Sequence, residues 1–112
     1  MKLLIEPPNI ASSHVRAFFT LKGFETTHKH IRDAIALEFN ISGDCIYLPV
    51  QKHTNIIQVL ESDITAVVAD AIITNRKNIF IGVMVADCVP ILLHDGTKEV
   101  IGAVHAGWRG TA

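Results

Sequence analysis

The sequence is short of cysteine, of aromatic residues and of any excess of one charge. Its two cysteines, Cys45 and Cys88, are too few for a disulfide framework, and a cytosolic chain keeps such residues as thiols. Ten Lys and Arg stand against eleven Asp and Glu, for a formal net charge of −1. Without a basic patch, nucleic-acid binding has little electrostatic support. The longest apolar stretch, Ile79 to Leu93, is broken by Asp87 and Pro90. It falls short of the roughly 18–20 apolar residues that span a bilayer. The opening MKLLIEPPN has one lysine and a brief apolar run, without the h-region and cleavage site of a secretory leader. The expectation is a cytoplasmic protein with neither a membrane nor a nucleic acid as partner. There are no repeats, no low-complexity segments and no stretch of linker composition.

What the chain does have is apolar residues. They make up 49% of 112 positions, with a mean hydropathy of +0.35. In so short a chain much of the surface cannot be covered, so some of these side chains are expected to face another chain or a further segment. A single domain over residues 1–112, completed by a second half or by a homodimer partner, fits this surplus.

Leu3 to Ile5 and Val15 to Thr20 read as strands, the first stopped by Pro7-Pro8 and the second by Gly23. Thr26 or Thr27 can cap a helix reaching Phe39, whose Ile31, Ala34 and Ile35 recur at helical spacing. Asn40 and Ser42-Gly43 end it. Cys45 to Val50, Asn55 to Leu60 and Val67 to Thr74 are β-prone. Three apolar runs follow, IFIGVMV, VPILLH and EVIGAVH, of the kind buried on both faces of a sheet. One helix among many strands predicts an α+β or mixed α/β fold, β-rich with few helices.

The last two runs flank Asp95-Gly96-Thr97-Lys98, a strong turn signal. A loop at Gly96-Thr97, or at Asp95 to Lys98, puts Cys88 directly opposite His105, with Cβ atoms about 4.5–5.5 Å apart. A thiolate and an imidazole so placed can share a zinc ion, or the imidazole can deprotonate the thiol for nucleophilic attack. A buried cysteine packed beside a hydrogen-bonded histidine is the plain structural alternative. Of the six histidines, His14, His28, His30 and His94 lie near loops or helix ends, whereas His53 and His105 have more distinctive settings. After His105 come Gly107, Trp108, Arg109 and Gly110. The glycines allow close backbone approach to a ligand. Trp108 can stack on a flat base or plug the core, and Arg109 offers a planar fork for phosphate or carboxylate, or a surface ion pair.

Ala86-Asp87-Cys88-Val89-Pro90 followed by His105-Ala106-Gly107-Trp108-Arg109-Gly110 resembles the signature of the YfiH family, also called laccase-domain or multicopper polyphenol oxidase proteins. Ala69 to Thr74 and Gln51-Lys52-His53-Thr54 resemble two further segments of that family, with Thr54 in place of a glycine. The resemblance implies a YfiH-like fold of roughly twice this length, with this chain as its amino-terminal half. It implies that His53, Cys88 and His105 bind one zinc ion, leaving a coordination position open as in catalytic sites. Copper ranks second, because these ligands are too few for a multicopper centre. It also implies phosphorolysis of purine nucleosides (adenosine, inosine, methylthioadenosine) and deamination of adenosine. Purine nucleoside and phosphate are then the partners, Cys88, His105 and Arg109 the catalytic residues, and Trp108 and Arg109 the substrate-binding ones. Asp87 would be a proton carrier or an outer partner of the site. Two other classes stay open: a hydrolase with Cys88 as nucleophile and His105 as base, and an inactive partial domain that binds a partner.

Overall fold

The computed structural model describes residues 4–7, 15–21, 30–62, 65–85 and 89–106. It divides into two compact units, Met1–Asp44 and Cys45–Ala112.

In the first unit, β1 (Leu4–Ile5) pairs antiparallel with β2 (Phe19–Thr20), Leu4 opposite Thr20. Helix α1 spans Ile31–Phe39 and buries Ala34 and Ile35, two of the residues whose spacing predicts that face. His30 stands at the N-cap without a side-chain cap bond; the predicted caps Thr26 and Thr27 lie outside the described residues. Asn40 ends the helix in the left-handed conformation at φ 52°, which asparagine tolerates better than most residues. Its N–H and that of Ile41 close back on the carbonyls of Leu37 and Ala36, satisfying groups the helix end would leave bare. Phe39 stacks against Phe18 with ring centroids 4.7 Å apart, and the Arg16 guanidinium lies over the same ring.

The second unit carries most of the β-structure. Here β3 (Ile46–Tyr47) and β6 (Phe80–Ile81) pair in parallel. A four-stranded sheet follows the order β4-β5-β8-β7, formed by Ile57–Leu60, Ala71–Thr74, Val100–Ala106 and Val89–Asp95. β4 and β5 are parallel; β5–β8 and β8–β7 are antiparallel. The fold is mixed α+β, with α1 the one α-helix among the described residues. No helix of the described residues is long and apolar enough to cross a membrane.

Strand alternation sorts the sheet into two faces. One carries Leu60 and Ile72, at 1% and 0% exposure, which pack with Tyr47, Ile79 and Ile81 into the core. The Tyr47 hydroxyl donates to Gln58 Oε1 and accepts from the Val67 N–H, so this ring is buried without stranding its polar tip. The other face carries Ile57, Val59, Val89, Ile91 and Leu93, all exposed. The apolar run of β7 predicts burial on both faces, yet its residues alternate between exposed and half-buried. Among the described residues β7 is the outer strand of the sheet, paired with β8, and its outward-facing side chains Val89, Ile91 and Leu93 are exposed.

Candidate functional site

His105 sits near the end of β8, in the middle of the sheet. Its backbone N–H donates to the carbonyl of Asp70 at 2.7 Å, which extends the β5–β8 ladder one step past Ala71 and Val104. The same two residues then meet through their side chains. His105 Nδ1 lies 2.7 Å from Asp70 Oδ2, with both side chains almost fully buried. Sequence neighbours of Asp70 are small and apolar, Ala69 and Ala71, both buried, so the carboxylate has no solvent of its own.

Its remaining partners come from the turn that holds His53. The Lys52 and Thr54 N–H groups donate to Asp70 Oδ1 at 3.2 and 2.8 Å, and the His53 N–H donates to Oδ2 at 3.2 Å. The Thr54 hydroxyl adds a bond of 2.9 Å to Oδ1. Three successive N–H groups converging on one anion form a nest. The backbone of His53 is left-handed, at φ 59°, which aims these donors inward. Burial by itself raises the pKa of Asp70. The bonds from the Thr54 N–H, His105, the Thr54 hydroxyl and the Lys52 N–H outweigh it, and hold the carboxyl well below the usual carboxylate range. An ionised carboxylate only accepts hydrogen bonds, so Nδ1 of His105 is the donor.

This clasp sets the rings of His53 and His105 side by side, centroids 5.3 Å apart and planes inclined at 59°. At that separation a nitrogen from each ring can reach one cation at about 2.0–2.1 Å. His53 is exposed and His105 is 6% exposed, so the pair lies at the edge of the core, open on one side. A second tie comes from Gln51. Its side-chain amide donates to the Met84 carbonyl and accepts from the Met84 N–H, both at 2.7 Å. The segment that follows β6, residues 82–85, is thus held beside the His53 turn.

Of the sequence-predicted residues, His53 and His105 are brought together. Cys88, Trp108, Arg109 and Asp87 lie outside the described residues. Among the described residues no cluster of three or more His, Cys, Asp or Glu side chains is arranged to hold a metal, and the Cys88 segment is not among them. The hairpin register differs from the expected one. Pro90, not Cys88, stands opposite His105, and the loop is Gly96 to Glu99. The reason is local. The Asp95 carboxylate accepts the N–H groups of Thr97 and Lys98 at 3.0 and 3.1 Å, which keeps Asp95 as the last strand residue. Glu99 then closes the turn at φ 54°. The shift is of two residues, so each described residue of β7 faces the side of the sheet that the expected register gives it.

Asp70 is the residue that sequence reasoning passed over. It falls within a segment recognised for its family resemblance, but an acidic residue between alanines in an apolar run carries no sign of its partners.

Residues 25–112 match the family model described as multi-copper polyphenol oxidoreductase laccase. A purine nucleoside phosphorylase of Aquifex aeolicus is 56% identical over 66 residues, covering 58% of this chain and 31% of that protein. An adenosine deaminase of an unknown prokaryotic organism is 33% identical over 90 residues, covering 71% and 34%. Among solved structures, YlmD of Geobacillus stearothermophilus superposes with a TM-score of 0.65 at 30% identity, over 71% of this chain and 33% of that one. The chain spans about a third of the length of these relatives.

Proposed function

Because the chain belongs to the multi-copper polyphenol oxidoreductase laccase family, we propose that it carries the metal-binding part of a zinc-dependent purine nucleoside enzyme. The reactions are phosphorolysis of nucleosides such as adenosine, inosine and methylthioadenosine, and deamination of adenosine. The observation that supports this reading is the paired imidazoles of His53 and His105 with a buried carboxylate behind one of them. Histidines that bind metals commonly donate their other ring N–H to a carboxylate in this way.

In this proposal His53, Cys88 and His105 hold the ion, and Trp108 and Arg109 meet the purine and the phosphate. Zinc, when bound, supplies a Lewis acid that lowers the pKa of water toward about 7. The chain's own part is geometric. His105 presents the ring nitrogen opposite the Asp70 contact, His53 approaches from the exposed side, and the buried wall behind them excludes water. Arg109 is the cation suited to hold phosphate for attack on the ribose carbon, and Trp108 offers a face on which the base can stack. Copper remains the second choice of metal.

The His105–Asp70 pair also favours a second reading. A histidine oriented by a carboxylate is the base arrangement of a cysteine nucleophile, here Cys88. That chemistry has no use for His53.

Metal analysis of the purified protein separates the two. The zinc reading expects close to one zinc per chain, lost in Cys88→Ala, and adenine or inosine formed from adenosine in the presence of phosphate. A metal-free protein whose activity survives His53→Ala would transfer the assignment to the cysteine hydrolase.

A further inference from the structure

We propose that Asp70 is the positioning residue of this site: one carboxylate that fixes both histidine arms relative to each other. The proposal rests on the metal reading above and adds to it the device that organises the ligands before any cation arrives.

The two arms are far apart in sequence and belong to different elements. His53 sits on a turn between β3 and β4, and His105 on β8. Each is attached to the same carboxylate. Oδ2 takes the His53 N–H and the His105 ring N–H; Oδ1 takes the Lys52 N–H, the Thr54 N–H and the Thr54 hydroxyl. Asp70 is itself fixed at both ends of its backbone, its N–H donating to Ile56 and its carbonyl accepting from His105. It is 2% exposed, so no water competes for these bonds.

Two consequences follow for the ligands. The bond to Oδ2 puts the His105 proton on Nδ1 and leaves the Nε2 lone pair bare, the form needed to coordinate a cation. The nest of N–H groups holds the 52–54 turn in its left-handed bend, and that bend sets the His53 ring beside His105. Coordination then requires little ordering of either arm.

Asp70→Asn tests this, because it keeps the shape and removes one acceptor. With its oxygen turned toward Lys52 and Thr54, the amide keeps those bonds and places its NH2 against the His53 N–H and the His105 ring. The opposite rotamer sets NH2 against the Lys52 and Thr54 N–H groups and is the worse choice. In the favoured rotamer His105 must accept at Nδ1 and carry its proton on Nε2, which removes the lone pair from the metal side.

The measurement is long-range nitrogen–proton NMR of the histidine rings in metal-free protein in alkaline buffer, with zinc affinity from chelator competition and a thermal melt alongside. The expected result is Nδ1–H at His105 in the wild type, Nε2–H in Asp70→Asn, and zinc affinity lower by about 10–100-fold in a variant that still folds. Retention of the wild-type tautomer and zinc affinity in Asp70→Asn would overturn the proposal. So would a wild-type His105 protonated on Nε2, a result that needs no variant and decides the matter if Asp70→Asn does not fold. The tautomer is read without metal. A wild type with Nδ1–H that binds no zinc would therefore count against the proposed function and this role together, whereas the wrong tautomer in a zinc-binding wild type would count against Asp70 alone.

Discussion

Replacing Asp70 by alanine is expected to destabilise the protein by about 3–5 kcal/mol, because several buried donors lose one shared charged acceptor at about 1–3 kcal/mol each. The carboxylate is the common acceptor for three backbone N–H groups, one hydroxyl and one imidazole. Alanine accepts none of them, and each buried donor left without a partner carries its own desolvation penalty. Domains have total stabilities of roughly 5–15 kcal/mol, so the variant keeps only part of its margin. Urea unfolding followed by circular dichroism measures the difference; a loss below about 1 kcal/mol would mean that water replaces the carboxylate at no great penalty.

The effect depends on pH with a definite sign. The folded-state pKa of Asp70 is depressed, so its contribution is complete above the ordinary carboxylate value of about 3.9. It is lost as pH falls below that value toward the folded-state pKa. The gap between wild type and Asp70→Ala is therefore widest at neutral pH and narrows on acidification.

Ile72→Ala is the second large effect, at about 2–5 kcal/mol. Ile72 is fully buried at the centre of β5, between Gln58 and Ala103 on the flanking strands. Its side chain belongs to the cluster with Tyr47 and Leu60, and the ladder on either side resists collapse into the space left behind. No titrating group is removed, so this loss stays nearly constant over the acid range where the Asp70 effect fades. Unfolding curves of both variants at neutral and acid pH tell packing from electrostatics. Equal fading in both would refute the ionic origin assigned to Asp70.

These particulars mark what could be read from the residues alone. The end of α1 was legible because Asn40 is itself the cause of the stop. The burial of Ala34 and Ile35 followed from helical spacing, and the final hairpin from two apolar runs around an Asp-Gly turn. The exact register was not legible. It turned on whether Asp95 served as the last strand residue or the first loop residue, a choice made by hydrogen bonds to Thr97 and Lys98. The pairing of His53 with His105 came from resemblance and not from spacing, since their elements meet only in the folded sheet. Asp70 was least legible. Its partners lie 16 to 18 positions earlier and 35 later in the chain, separations at which no local pattern survives.

The left-handed backbone at His53 has an outcome of its own. A residue with a β-carbon is held there at a penalty of roughly 1–2 kcal/mol, and glycine escapes that penalty at an entropic loss of about 0.5–1 kcal/mol. His53→Gly should then melt at the same temperature as the wild type or a few degrees above it, while losing its hold on zinc. A lower melting point would show that the turn relies on the imidazole for its shape. If the variant is the sturdier molecule, selection for durability alone would have placed a glycine at this position. The histidine's presence would then record a demand made by chemistry against the interest of the fold.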